Sequence, residues 1–225
     1  MKLKKIASLA LAGIMAVSML AGCKSNPADP EDPNTPIVPS ASNLTGYMND
    51  LLSSAEEKVL TFSENATLND ALKAVALDKD KVTANDITRA LGYYQWDAVG
   101  NGDAFSNDVV GKFKTGNYYC TEKGNWEAWK AVTPANAEKS DTYSFVEVKL
   151  LSGKMTEQAV AEAAHNHWGD VITDQVGDLN GDKDVTFNGA ISAIKVANNS
   201  NPDASAWVVA VMITKTVSES ANTQV

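Results

Sequence analysis

The segment Ala206–Ile213, AWVVAVMI, constrains this chain more than any other. It is an unbroken apolar run rich in β-branched residues. It has no polar face to offer water, so as a strand it must be covered on both sides and paired along its edges. The sequence must therefore supply neighbouring strands. TYSFVEVKL (142–150) alternates: Val146, Val148 and Leu150 point one way, Glu147 and Lys149 the other. That pattern predicts a half-buried strand. AISAIKV (190–196) precedes the apolar run across a long polar turn, and the need of 206–213 for a partner predicts a strand there as well.

Helical spacing dominates the earlier part of the chain. Leu44, Tyr47, Met48, Leu51, Leu52, Ala55 and Val59 predict one helix from about 44 to 59. Thr67-x-x-Asp70 and Thr83-x-x-Asp86 read as capping signals for two short helices. Residues 97–125 read as irregular, with a short helix near 107–113. TEQAVAEAAHNHW (156–168) reads as a helix capped by Thr156. Helices first and strands later predict one α+β domain over 42–217, with N-terminal helices on a small, mostly antiparallel sheet from the C-terminal half. The tail 218–225 is polar and reads as loose.

The first 41 residues have a different character. Lys2, Lys4 and Lys5 precede an apolar run from Ile6 to Leu20, too short for a comfortable membrane span of about 20 residues. The run ends in Leu20-Ala21-Gly22-Cys23. This resembles the lipobox of bacterial lipoproteins, in which the cysteine is acylated and becomes the new N-terminus. The resemblance implies a signal peptide over 1–22, lipidation (palmitate included) at Cys23 and anchoring on the extracytoplasmic face of the cell membrane. Residues 24–41 hold five of the seven prolines, one at every third position, which blocks helix and sheet and stiffens the chain toward polyproline II. Such a spacer spans roughly 50 Å at about 3.1 Å per residue.

Charge limits the partners. Without the three lysines of 1–22, 16 basic residues face 28 acidic ones, a formal charge of −12. No basic footprint for nucleic acid remains. With Cys23 committed to lipid, Cys120 is the only other cysteine, so no disulfide framework holds the fold.

DLNGDKDVTFNGA (178–190) places oxygen-bearing side chains at alternate positions. Asp178, Asn180 and Asp182 stand at positions 1, 3 and 5 of an EF-hand-type loop, Asp184 at 7 and Thr186 at 9. This half resembles a dockerin calcium repeat, which implies Ca2+ as a cofactor and a helix over 189–196. Lys183 replaces the turn glycine and Gly189 replaces the closing carboxylate. Those departures favour the alternative, an acidic surface turn whose Asx side chains satisfy local backbone.

A second resemblance covers 42–217. A helix ending His167-Trp168-Gly169-Asp170-Val171-Ile172 and followed by two closing strands is similar to the end of a CAP-superfamily domain. Phe105-Ser106-Asn107 falls near that family's Phe-x-His, with Asn for His. The family's paired glutamates and first histidine lack counterparts, which implies a degenerate cavity. This reading puts a strand, not a helix, at 189–196.

Cys120, His165 or His167, and Asp170 occur in the order used by transglutaminase-like cysteine enzymes. His165 and His167 are two apart, so at most one could face a shared site. The opposing reading makes Cys120 a small core residue. Trp126 and Trp129 share a helix face; such a pair can stack on a sugar, and more often belongs to the core. Together these observations predict an extracytoplasmic binding or structural module, with a cell-wall, glycan or protein ligand, rather than an enzyme.

Overall fold

The computed structural model describes residues 43–96, 102–133, 138, 141–177, 185–198 and 201–217. Contacts divide the chain into two units, Met1–Thr35 and Pro36–Val225, and every described residue lies in the second. The helices are α1 Leu44–Leu51, α2 Ala66–Ala76, α3 Ala84–Ala90, α4 Gly102–Val110, α5 Trp126–Lys130 and α6 Glu157–Val171. The strands are β1 Asn117–Tyr119, β2 Thr142–Ser152, β3 Val185–Asn198 and β4 Asn201–Val217. A 3-10 turn at Glu56–Lys58 follows α1, and a π turn at Ile172–Val176 extends α6. This is the α+β architecture expected. Among the described residues no helix is long and apolar enough to cross a membrane.

The apolar run forms the middle of β4, which is central in the order β1-β2-β4-β3. β4 is antiparallel to both β2 and β3, while β1 runs parallel to β2. Alternation divides β4 between two cores. Ala204, Ala206, Val208, Ala210 and Met212 pack with Leu68, Leu72 and Val75 of α2, Ile87 of α3 and Val109 of α4. Trp207, Val209, Val211, Ile213 and Val217 pack with Met48 of α1, Trp129 of α5 and Val160, Ala164 and Trp168 of α6. Helices therefore cover both faces, as a strand without a polar side demands.

That arrangement corrects the reading of β2 as half-buried. Its second face carries Tyr143, Phe145 and Leu151, all in the core with α5 and α6, and Glu147 and Lys149 lie among them. Alternation reveals two chemically different faces, but not whether another element covers the polar one.

The helix expected over 44–59 ends at Leu51. Leu52 is extended, and Ser53 opens a second, shorter turn: its Oγ accepts from the Glu56 amide at 3.3 Å, and its own amide donates to Glu56 Oε2 at 2.5 Å. Two reciprocal bonds of this kind start a new helical segment and interrupt the old one. The cap of α2 is Asn65, which accepts from the Leu68 amide, and Thr67 lies inside the helix. The capping box expected at Thr83 and Asp86 is present. α4 begins at Gly102, earlier than expected.

The dockerin-like helix over 189–196 is replaced by β3, paired with β4 from Val185 to Asn198. Gly189 explains part of this. Its amide donates to Thr61 O at 2.9 Å and its carbonyl accepts from Ser63 N at 2.8 Å, so residues 61–63 run along the outer edge of β3. A Cβ at position 189 would stand 2.8 Å from two carbons of the Phe62 ring. Glycine is required there by the close approach of Phe62.

Candidate functional site

Two histidines of α6 reach two different carboxylates. Residues two apart on a helix point about 200° from each other, so His165 and His167 serve separate partners. His165 Nε2 lies 3.1 Å from Glu56 Oε1, on the 3-10 turn after α1. His167 Nε2 lies 3.4 Å from Glu147 Oε2, on β2.

The Glu147 cluster is the richer of the two. Glu147 Oε2 also accepts from Trp96 Nε1 at 2.7 Å, and Oε1 lies 3.2 Å from Lys149 Nζ. Trp96 is buried, and the Glu147 and Lys149 side chains are only 13% and 12% exposed. Trp96 and His167 rings face each other, 6.1 Å between centroids and 24° from parallel. The network thus ties three elements together: the segment before residue 97, β2 and α6. Burial raises the Glu147 carboxyl, but the His167 hydrogen bond, the Lys149 charge and the Trp96 indole outweigh it and hold the group below its ordinary value. Glu56 behaves alike: burial raises it, while Ser53 and then His165 hold it down. Both carboxylates are ionised at neutral pH.

An imidazole oriented by a carboxylate is half of a general-base catalyst. The nucleophile expected with it is elsewhere. Cys120 follows β1 and lies in the core with Val146 and Val148, on the α2–α4 face of the sheet. His167 lies on the α6 face, with Glu147. The sheet separates the two groups, so the proposed Cys120–His167 pair does not form, and the reason is the alternation of side chains along β1 and β2. Cys120 is fully buried, and burial pushes its thiol up, away from thiolate. Asp170 is exposed inside the last turn of α6 and does not cap a following turn, because the helix continues into the π turn.

Trp126 and Trp129 stack on each other with centroids 4.5 Å apart. Trp129 is wholly buried and donates from Nε1 to Tyr143 O at 2.8 Å. Trp126 is half-buried, edge-on to Phe145 at 5.0 Å, and its Nε1 donates to Gln175 Oε1 in the π turn. The pair is core, not an exposed sugar platform. Beside it, the buried indole N–H of Trp168 has no hydrogen-bond partner among the described residues.

Of the calcium-loop candidates, Asp178, Asn180, Asp182 and Asp184 lie outside the described residues, as does the lipidation residue Cys23. Thr186 is exposed on β3 opposite Thr216. Among the described residues no three His, Cys, Asp or Glu side chains are grouped to hold a metal.

Sequence reasoning missed Glu147, Trp96, Lys149 and Glu56. Charged residues at alternate positions in an otherwise apolar strand were a signal for the first and third. Nothing local marked Trp96, whose partner is 51 residues away; Ser53-x-x-Glu56 was a local capping signal, but it said nothing of His165, 109 residues on. No protein-family model, no curated protein and no solved structure matches this chain.

Proposed function

We infer that this chain is a bacterial surface lipoprotein. It is acylated at Cys23, carried off the membrane by the Pro-rich spacer 24–41, and presents one α+β domain as an extracytoplasmic binding or structural module. The observation that carries the anchoring is Leu20-Ala21-Gly22-Cys23 after a basic and apolar leader. Several acyl chains at about 0.8 kcal/mol per buried methylene hold a protein stably at a membrane where one would not. Two features favour a module over an enzyme. Cys120 and His167 occupy opposite faces of the sheet, and the Glu147–His167 network joins structural elements. The strongly acidic balance directs the search for partners to cell-wall, glycan or protein ligands and away from nucleic acid.

Cys23→Ala tests the anchor. The wild-type chain is expected to fractionate with membranes and to take up a labelled fatty acid, and the variant to take up none. Equal labelling of the two would overturn the reading.

A further inference from the structure

Part of the outer edge of β3 is free. Gly189 sends both its amide and its carbonyl outward, to Thr61 and Ser63. Residues of an antiparallel ladder alternate in the direction of their backbone groups. Ile191, Ala193, Lys195 and Ala197, in unbroken register with β4, therefore turn theirs outward as well. The segment 61–63 is bridged to β3 at Gly189 alone. Among the described residues nothing takes up the outward N–H and C=O groups of these four. Ile191 is buried, Ala193 and Lys195 are half-buried and Ala197 is exposed, so the edge opens toward its far end.

Native sheets guard such edges, and this chain does so on the other side of its sheet. β1 covers the start of β2. Beyond it, the Val148 amide donates to Ser106 Oγ at 2.8 Å and the Ser152 amide to Tyr93 O at 2.7 Å. β3 lacks these guards. From Gly189 to Ala197 it holds no proline and no bulge. Its one charge there, Lys195, is turned back over the sheet: the ammonium stands 5.3 Å from the centre of the Trp207 ring on β4. Ala193 and Ala197 have no bulk to block an approaching strand.

We propose that the outer edge of β3 at 191–197 pairs with the same edge of a second copy of this chain, antiparallel across a two-fold axis at Ile194. A strand from an unrelated protein is selected by pockets for its alternate side chains. Beside this edge stand two alanines and a lysine, which offer backbone groups and form no such pocket. A second copy needs no pocket, because it brings the complementary row of donors and acceptors itself. Charge fixes the register. With the axis at Ile194, Ala193 lies opposite the second copy's Lys195 and Ile191 opposite its Ala197, each pair exchanging both backbone bonds. An axis at Lys195 would set the two lysines directly against each other, which is unfavourable. Pairing stops at Gly189, where 61–63 already hold the edge. The guarded edge of β2 keeps the joined sheet from growing further, so the assembly closes as a dimer.

Sedimentation and amide hydrogen exchange of the protein as isolated from the cell, at concentrations about a hundredfold apart, test this. Ser192, Ile194 and Val196, whose amides face β4, should be protected throughout and report that the chain is folded. Protection of Ala193, Lys195 and Ala197 should rise with the fraction of dimer that sedimentation measures. Ala193→Lys sets two pairs of like charges opposite each other in the proposed register and should weaken the dimer about 2- to 30-fold. Adding Lys195→Glu should restore it. A monomer at every concentration, a dimer in which Ala193, Lys195 and Ala197 exchange freely, or a dimer that Ala193→Lys leaves unchanged would each overturn the proposal.

Discussion

Replacing Gly189 by alanine tests whether residues 185–198 are a strand by packing necessity or the remnant of a calcium loop. The added Cβ would stand 2.8 Å from two Phe62 ring carbons and 3.0 Å from a third. Ordinary carbon contacts lie at about 3.5–4.0 Å, so the ring must move by roughly 0.7–1 Å. It has little freedom to do so. Phe62 is buried, and its backbone is held on both sides by Asn49, which accepts from Phe62 N at 2.9 Å and donates to Phe62 O at 2.8 Å. Gly189 is held by its own bonds to Thr61 and Ser63. Overpacking of this kind costs about 1–3 kcal/mol, and the loss of glycine's unfolded-state freedom returns about 0.4–1 kcal/mol. The net expectation is a destabilisation of about 1–2 kcal/mol, or roughly 2–8 °C in Tm for a domain of this size. Urea denaturation of wild type, Gly189→Ala, Phe62→Leu and the double variant measures it. The cost of Gly189→Ala should nearly vanish in the Phe62→Leu background. A neutral Gly189→Ala, or a cost unchanged by Phe62→Leu, would refute the argument.

Other outcomes follow from the same geometry. Glu147→Gln keeps the volume but removes the charge that Lys149, His167 and Trp96 share; it should cost about 1.5–3 kcal/mol by chemical denaturation at pH 7. Glu147 and Glu56 both titrate below the ordinary carboxylate value when folded. The unfolded chain therefore takes up these protons first as pH falls, and their stabilisation, complete at neutral pH, fades below about pH 4.5. Denaturation midpoints at pH 7, 5 and 3 should show this loss, reduced in a Glu56→Gln, Glu147→Gln double variant. Cys120 should resist a thiol reagent at pH 8 in the folded chain and react at once in urea, whereas rapid folded-state reaction would reopen the enzyme reading. Calorimetric titration with millimolar Ca2+ should give no saturable heat, because Gly189, at the closing position of the loop, is committed beneath Phe62; binding abolished by Asp178→Ala would contradict this.

The parts of the fold legible in the sequence are those where one segment's pattern determines its surroundings. AWVVAVMI is the doubly covered strand its lack of a polar face implied, and Thr83 with Asp86 does begin a helix, although the same spacing at Thr67 and Asp70 does not. Elsewhere the spacing of apolar residues, taken alone, misled. The apolar spacing of 44–59 is helical throughout, yet Ser53 and Glu56 cap each other and divide it. Glu147 and Lys149 look like a solvent face until α6 lies over them. The same holds for the site. Cys120, His167 and Asp170 have an enzyme's order along the chain, but order says nothing about which face of a sheet each side chain takes. Alternation through Tyr118, Tyr119 and Cys120 places the thiol opposite the imidazole.

The central claim is that this domain is displayed on a lipid anchor at Cys23. Intact mass spectrometry of the protein purified from bacterial membranes in detergent tests it most directly. The account predicts a chain that begins at Cys23 and carries a mass increment of diacylglycerol, with or without a further acyl group. A chain cleaved elsewhere, or one beginning at Cys23 with a free thiol, would contradict it.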